Sequence, residues 1–421
     1  MVEDVFLPDY LDALSRVGGF GSLFDESFRD AYLAFWRGFS VRCDEAPYFA
    51  VADGSRASTT FRGGVRAVCV RAIANVYDGK SLVASIPVVD VRVGHRLRRP
   101  SLYMRALEFK CLKSALEDFP KVSMAICDGD LYPLIHPVIV RITTQEVEAY
   151  VEYLRALYDL YEFTKHRGIL LIGITKDSFV NYLRARILAA YVSKENPVLG
   201  QALARERSLR RIERVLASIK DQTEKVKLYL SEAGRATSDE EVFDEYTSDP
   251  GFSKPLVLAP QPIYLSEEIK AGTKSWRGSR IRRRLSLRGP PFSDVAEFLD
   301  RLYTLPPVVL SYWRPWHKIG VYRVDVGGWC LGVNEQWNDV ESDYFLSEDR
   351  LDACERIFSI LNGLSPEPFT VKPLLDADDL VRFDTKTYRE CYEPLLIEAL
   401  RKAEFKALLT KRDIRELMVR V

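Results

Sequence analysis

The spacing of apolar positions predicts three strands in the first quarter of the chain. Strand-like runs cover residues 47–53, 65–76 and 82–93, and Tyr77-Asp78-Gly79-Lys80 has the composition of a hairpin turn. The short connections between these runs favour an antiparallel meander. Before them, apolar residues recur at helical spacing over residues 1–45, which predicts a helical lead-in.

Strands and helices then alternate. The pattern predicts a helix over 101–117, a strand over 122–128, a helix over 144–165, a wholly apolar strand over 169–174 and a helix that ends near residue 192. Thr143 and Glu146 have the spacing of a capping box at the start of the second helix. Residues 175–178 (Thr-Lys-Asp-Ser) are expected to cap the third.

The remaining segments complete a division into four parts. The lead-in (1–45) precedes a core (46–195), an insertion of helices with a basic lid or loop (196–295), and a C-terminal part (296–421). Within the insertion, residues 236–262 are expected to form a loop. The last part is predicted to contain a β-hairpin, 308–313 with 319–326, and helices over 348–361 and 394–409.

Three acidic residues fall at informative places in this pattern. Two apolar strands each run into an Asp-Gly pair, at Asp53 and at Asp128, and Glu108 lies among apolar neighbours of the first core helix. A carboxylate on an apolar face is costly unless it is paired or bound to a metal. Each Asp-Gly alone has an ordinary interpretation as a strand-to-turn junction, and Arg105 is an ion-pair partner for Glu108 that needs no metal.

Taken together, the element order and the positions of the acids match the ribonuclease H-like fold, an α/β fold with a mixed sheet. In that fold the first and fourth strands are neighbours and the first helix crosses beside them. Asp53, Glu108 and Asp128 are therefore expected to converge. Carboxylates held together in this way repel one another unless a cation lies between them, so the sequence predicts a metal site.

Overall composition narrows the class of protein without naming a partner. The 60 basic and 60 acidic residues cancel. The seven cysteines include no Cys-x-x-Cys pair, which favours free thiols in a reducing compartment and argues against a zinc site. No leader and no apolar run of transmembrane length is visible, so we expect a cytoplasmic protein that does not contact membranes.

One segment has a strong local charge. Residues 276–288 carry six arginines beside a tryptophan and no acid, which favours phosphate contact and base stacking. The alternative is a flexible solvated loop. The residues expected to contact DNA here are Trp276, Arg277, Arg280, Arg282, Arg283 and Arg284.

These motifs, in this order, resemble the NurA family of archaeal and bacterial nucleases. The residues that carry the resemblance are Asp53-Gly54-Ser55 with Arg56, then Arg105-x-x-Glu108, Asp128-Gly129, Lys176-Asp177-Ser178, and Tyr392-Glu393-Pro394-Leu395-Leu396-Ile397-Glu398-Ala399. Each motif is short, so the specificity lies in the ordered set, which spans nearly the whole chain.

The resemblance implies a function. Members of the family are manganese-dependent nucleases, with Mg²⁺ as a further possibility, that cut single-stranded DNA internally and degrade single- and double-stranded DNA from 5′ to 3′. They form homodimers and work with the hexameric HerA translocase in resecting DNA ends for recombinational repair. By this resemblance Asp53, Glu108 and Asp128 would hold the metal.

Further roles follow from the same resemblance and from position. Lys176 and Tyr392 would assist catalysis, and Arg56 and Arg105 would bind DNA. The alternatives are that Lys176 is a solvent-exposed neighbour of a helix cap and that Tyr392 is a half-buried core residue. Asp130 and Asp177 are auxiliary candidates.

Two positions depart from the family pattern. Leu400 stands where relatives have a histidine, and Asp130 stands where the second acidic motif has a serine. His317 or His136 could substitute in space. The alternative function is thus a catalytically weakened or inactive DNA-end-binding partner subunit; a ribonuclease H-like enzyme for hybrids or branched DNA, and a scaffold without metal, are further alternatives.

Overall fold

The computed structural model describes residues 26–402, apart from 40–43, 45, 62–63, 96, 134–142, 205, 208, 220–222, 236, 261–275 and 367–370. Most of the predicted lead-in, the second half of the predicted last helix and His136 therefore lie outside the described residues.

A single mixed sheet crosses the molecule and takes strands from all four predicted parts of the chain. Its order is β1-β7-β9-β10-β6-β5-β2-β3-β4, with β8 paired to β9 and β11. The strands are β1 (Trp36–Gly38), β2 (Tyr48–Thr60), β3 (Val65–Asp78), β4 (Ser81–His95), β5 (Met124–Asp128), β6 (Leu170–Thr175), β7 (Gly251–Ser253), β8 (Leu256–Val257), β9 (Val308–Arg314), β10 (Tyr322–Gly327) and β11 (Tyr344–Phe345). Strand β5 is parallel to β2 and β6, whereas the other pairs are antiparallel. The predicted ribonuclease H-like mixed sheet is confirmed.

The meander of β2, β3 and β4 forms as predicted, with one correction that matters for function. Strand β2 does not end at Asp53 but continues to Thr60, because residues 54–60 stay paired with β3. Asp53 therefore lies within a strand, beside the end of the shorter β5. Gly79 adopts the left-handed conformation (φ 56°) that the tight turn before β4 requires.

Helices cover both faces of the sheet. In chain order they are α1 (Arg29–Leu33), α2 (Pro100–Asp118), α3 (Thr144–Arg167), α4 (Tyr182–Glu195), α5 (Pro197–Leu203), α6 (Leu209–Ala217), α7 (Glu224–Ala233), α8 (Asp239–Tyr246), α9 (Arg280–Leu287), α10 (Phe292–Leu302), α11 (Leu351–Gly363), α12 (Lys372–Val381) and α13 (Glu393–Lys402). One face packs on α2 and α3, and the other packs on α11 and α12. The capping box of Thr143 and Glu146 is present.

Three local predictions were wrong. The lead-in contributes a strand, β1, because its backbone pairs with β7. The segment 236–262, predicted as a loop, contains α8, β7 and β8. The expected cap at 175–178 is absent because α4 begins later, after Asn181.

The structure bears on two predictions from composition, those for the cysteines and for membrane-spanning segments. Cys69, Cys111, Cys127 and Cys354 are free and buried, as expected, but Cys391 is free and exposed. Over the part of the chain that the structure describes, no helix has the length and apolar character needed to cross a membrane.

Candidate active site

Asp53 and Asp128 lie side by side on two parallel strands. The paired positions of β2 and β5 end at Ala52 and Cys127, and each aspartate is the next residue. Side chains alternate between the faces of a strand, so both aspartates point to the face that packs on α11 and α12. The predicted convergence of these two acids is thus present in the fold.

The surroundings of Asp53 disfavour the ionised form of its carboxyl group. Its side chain is buried; Oδ1 accepts a hydrogen bond from the backbone N–H of Gly54 (2.6 Å), while Oδ2 has no partner among the described residues. Burial, followed by the neighbouring charges of Asp128 and Glu108, raises the pKa of Asp53 to about 8. A buried oxygen without a partner, facing other carboxylates, is a group that a cation would satisfy.

Glu108 reaches this pair from the other face of the sheet, where α2 packs. Its carboxylate lies beside the Cα of Gly54: a Cβ at that position would be 2.5 Å from Oε1. Glu108 is only 2% exposed, and burial raises its pKa although Arg105 opposes the shift. The glycine of the Asp-Gly pair thus provides the gap through which the third carboxylate approaches.

Arg105 is a structural partner of the site, and its predicted contact with DNA is not supported. Its guanidinium donates to Glu108 (2.6 Å), to the carbonyl of Asp128 and to the carbonyl of Asp130 (2.7 Å). With its donors engaged and its side chain mostly buried, it has little left for a phosphate. The ion pair with Glu108 considered from sequence is formed.

Lys176 lies at the same edge. It follows β6, and its Nζ is 3.8 Å from Oδ1 of Asp128, with both side chains about one third exposed. Asp130 belongs to a different environment: it lies 3.8 Å from Arg323, and burial raises its pKa although Arg323 and Arg105 oppose this. Asp130 is therefore tied into a structural network, which weakens it as an auxiliary metal ligand.

The donor set fits a hard divalent cation, but it is not closed around one. In the described ranges, no three His, Cys, Asp or Glu side chains are arranged to hold a metal ion. Glu108 pairs with Arg105 (2.6 Å), and Asp128 lies 3.8 Å from Lys176. The three carboxylates supply only oxygen donors, which Mn²⁺ and Mg²⁺ accept, and Oδ2 of Asp53 has no hydrogen-bond partner among the described residues.

The C-terminal segment docks next to Asp53 and contributes residues that the sequence did not single out. Arg71 of β3 lies opposite Ser55 in the pairing of β2 with β3. Its guanidinium donates hydrogen bonds to the carbonyls of Val381 and Arg382 and to the hydroxyl of Tyr392 (3.3 Å). Helix α12 packs on β2, and the charge of its Asp378 contributes to the raised pKa of Asp53. The acid-rich sequence 376–379 was the available signal for Asp378.

Leu400, at the position where the family pattern has a histidine, lies in an apolar environment. Leu400 is buried and packs with Ile397 against Phe61, Val65 and Ala67, near the far end of β2. His317 is exposed and hydrogen-bonded to Asp249 (3.0 Å). Neither residue contacts the three carboxylates.

Most of the arginine-rich segment forms helix α9. The prediction that Trp276 stacks on bases is wrong. Trp276 is fully buried, donates to Asp300 (2.6 Å) and packs edge-on against Tyr303. Arg282 pairs with Asp300 (2.8 Å). The exposed arginines of the segment are Arg277, Arg280, Arg283, Arg284 and Arg288. Since α9 packs on α10 and α10 on α3, this surface belongs to the helical layer; its contact with DNA stays a prediction.

Arg56, by contrast, lies close to the carboxylates. It is three residues beyond Asp53 on β2, exposed, and without an ion-pair partner in the described part of the chain. Its predicted role in binding DNA is compatible with this position.

A family model matches more than half of the chain. Residues 48–335 match the NurA domain. No curated protein matches the sequence. The fold is similar to a crystal structure of the NurA nuclease from Sulfolobus solfataricus, with 15% identity, 96% of this chain and 98% of that chain covered, and a TM-score of 0.50. A NurA structure with manganese is also similar, at 13% identity, 93% and 96% coverage and a TM-score of 0.42.

Proposed function

The chain belongs to the NurA family, and we propose that it is a metal-dependent nuclease that hydrolyses phosphodiesters in DNA. One observation carries the proposal. Asp53 and Asp128 follow the paired part of two parallel strands, and Glu108 reaches the gap at Gly54 from the other face of the sheet. Neighbouring, partly buried carboxylates repel one another and destabilise the fold. Their presence therefore indicates a functional site.

Asp53, Glu108 and Asp128 would hold the ion, Mn²⁺ by the family resemblance and Mg²⁺ as the second choice. A divalent cation supplies Lewis-acid polarisation of a phosphate oxygen and makes water more acidic. The protein's own part would be to present three oxygen donors near one strand of a rigid sheet. Arg105 fixes the orientation of Glu108, since it anchors that carboxylate to the backbone after β5.

Two further side chains have roles that their positions support. Lys176, near Asp128, would offset negative charge on a bound phosphate. Tyr392, held by Arg71, would donate a hydrogen bond to the substrate or orient a water. Arg56 would contact the backbone of the same DNA strand.

The finer activities rest on the family resemblance. They are endonuclease activity on single-stranded DNA and 5′-to-3′ exonuclease activity on single- and double-stranded DNA, in resection of DNA ends for recombinational repair. A homodimer, a HerA-type hexameric translocase as partner and a cytoplasmic location belong to the same proposal.

A second function is favoured by one observation. Leu400, where relatives have a histidine, is packed into an apolar cluster, so that position contributes no group able to transfer a proton. A subunit that binds DNA ends and cuts slowly or not at all would retain the same fold and carboxylates.

A cleavage assay distinguishes the two functions. Wild-type protein is incubated with linear duplex, single strands, RNA–DNA hybrid and a four-way junction, with Mn²⁺ or Mg²⁺, beside Asp53→Ala. We expect Mn²⁺-dependent degradation of the DNA substrates that Asp53→Ala abolishes. DNA binding without cleavage under either metal would support the inactive partner subunit, and equal cleavage by Asp53→Ala would contradict the assigned site.

A further inference from the structure

A cationic cleft lies at the far end of β2 and β3, where the start of α3 approaches them. Its volume is about 630 Å³, and its lining includes Thr60, Arg66, His95, Arg98 and Gln145. No acidic side chain lines it in the described part of the chain. Leu97 and Arg98, which follow β4, supply part of this lining.

Arg66 is prepositioned in the cleft. Its Nη2 donates to Ser58 Oγ (2.7 Å) and its Nη1 to the carbonyl of Leu97 (3.3 Å). Its Nε is shielded from solvent and has no hydrogen-bond partner among the described residues. A planar guanidinium that is held in place through both Nη atoms, each of which carries a further N–H, suits a phosphate group.

Other features strengthen the positive potential. Arg98 is exposed and has no ion-pair partner within the described ranges, and His95 lies nearby. Gln145 belongs to the first turn of α3, a helix of 24 residues whose N-terminus carries partial positive charge. The one acid of that turn, Glu146, is turned toward the backbone N–H of Thr143 (3.1 Å).

A row of side chains leads from the cleft to Glu108, on the face of β2 opposite to Asp53. Alternate residues of β2 share one face, so Arg56, Ser58 and Thr60 follow Gly54 in line from the gap occupied by Glu108. All three are exposed. Gly54 and Thr60 are six residues apart, which is about 20 Å at the rise of a strand.

We propose that this cleft binds a backbone phosphate of the same DNA whose scissile phosphodiester lies at the carboxylates. The inference rests on the proposed function and deepens it. A distance of about 20 Å corresponds to about six base pairs at 3.4 Å per phosphate along a strand. Strand β2 would thus set a fixed spacing between the cut and a second point of contact.

Binding to a blunt duplex of about 20 base pairs tests the cleft, because such a duplex exceeds the required six. Wild type, Arg98→Ala, Arg98→Glu and the control Arg210→Ala, an exposed arginine on α6, are compared at several salt concentrations without divalent metal. We expect several-fold weaker binding by Arg98→Ala, a larger loss in Arg98→Glu, and a salt slope lower by about one in Arg98→Ala. Arg98 variants that match the control would overturn the proposal.

A second readout separates this contact from the catalytic site. The ratio of kcat/KM for the duplex to kcat/KM for a trinucleotide, too short to reach the cleft, should fall several-fold in Arg98→Ala. An unchanged ratio would overturn the proposal. If the wild type cuts nothing, the proposed function fails while the binding comparison still decides the cleft.

Free phosphate is the competing ligand with the same chemistry. Calorimetric titration with inorganic phosphate identifies it. Loss of phosphate binding in Arg98→Ala with unchanged duplex binding would overturn the DNA assignment.

Discussion

The carboxylate of Glu108 lies where a side chain at Gly54 would have to be. An added Cβ would be 2.5 Å from Oε1 and 2.7 Å from Cγ of Glu108, distances that no side chain tolerates. Asp53, the preceding residue, points to the opposite face of the sheet. The glycine is therefore what lets acids from both faces meet at one strand.

Gly54→Ala tests this relationship. We expect Mn²⁺-dependent cleavage to fall at least about tenfold because Glu108 is displaced, with a loss of about 1–3 kcal/mol in the free energy of unfolding from overpacking. Gly320→Ala is the control, since a Cβ there meets open space. Full activity in Gly54→Ala would show that Glu108 is not needed where the structure places it.

Arg105→Met should destabilise the fold. The substitution leaves Glu108 buried without its partner and removes the donors to two backbone carbonyls, for which we expect a loss of about 3–5 kcal/mol, measured by urea unfolding without metal. Lys110→Met is the control, because Lys110 is exposed and pairs with Glu152 on the surface. If Arg105→Met weakened DNA binding without loss of stability, Arg105 would be a DNA contact after all.

Glu240 should make stability depend on pH. Burial raises its pKa from 4.5 to about 7, with the charge of Asp177 adding to the shift and the N–H of Ser178 opposing it. Since the folded pKa is the higher one, the stability that the protonated form contributes is complete below about pH 4.5 and is lost as pH rises through 7. Glu240→Gln should melt at a higher temperature than wild type at pH 8 and equally at pH 4.5, and the reverse order at pH 8 would contradict this.

Two tyrosines of the C-terminal segment offer a matched comparison. Tyr392 accepts a hydrogen bond from Arg71 beside Ser55, whereas the Tyr388 hydroxyl lies 2.9 Å from that of Thr59, farther along β2. Tyr392→Phe is expected to lower kcat with little change in stability, and Tyr388→Phe to cost about 0.5–1.5 kcal/mol with kcat retained. Equal kcat in both variants would remove Tyr392 from catalysis.

The centre of the fold could be predicted from the sequence because the candidate site residues lie within its clearest strands and helix. Asp53, Glu108 and Asp128 stand out as acids within apolar periodicity, and the alternation of strands and helices places them together. The local pattern does not determine how long a strand is. Nothing in the run before Asp53 indicates that β2 continues to Thr60, because the continuation is set by pairing with β3.

Long-range partners explain the errors. Trp276 was assigned to DNA because of its arginine neighbours, yet Asp300 and Tyr303, distant in sequence, bury it. Arg207, which stands among charged residues in the sequence, is buried with Asp343. A cation with an acidic partner far along the chain cannot be distinguished from a surface cation by spacing alone.

The central claim is that Asp53, Glu108 and Asp128 share a divalent cation. Calorimetric titration of Mn²⁺ into the DNA-free wild type, into Asp53→Asn and into the exposed-carboxylate control Asp78→Asn tests it most directly. We predict binding by wild type and control, and an affinity at least tenfold lower, about 1.4 kcal/mol, in Asp53→Asn. Equal Mn²⁺ affinity in all three proteins would contradict the claim.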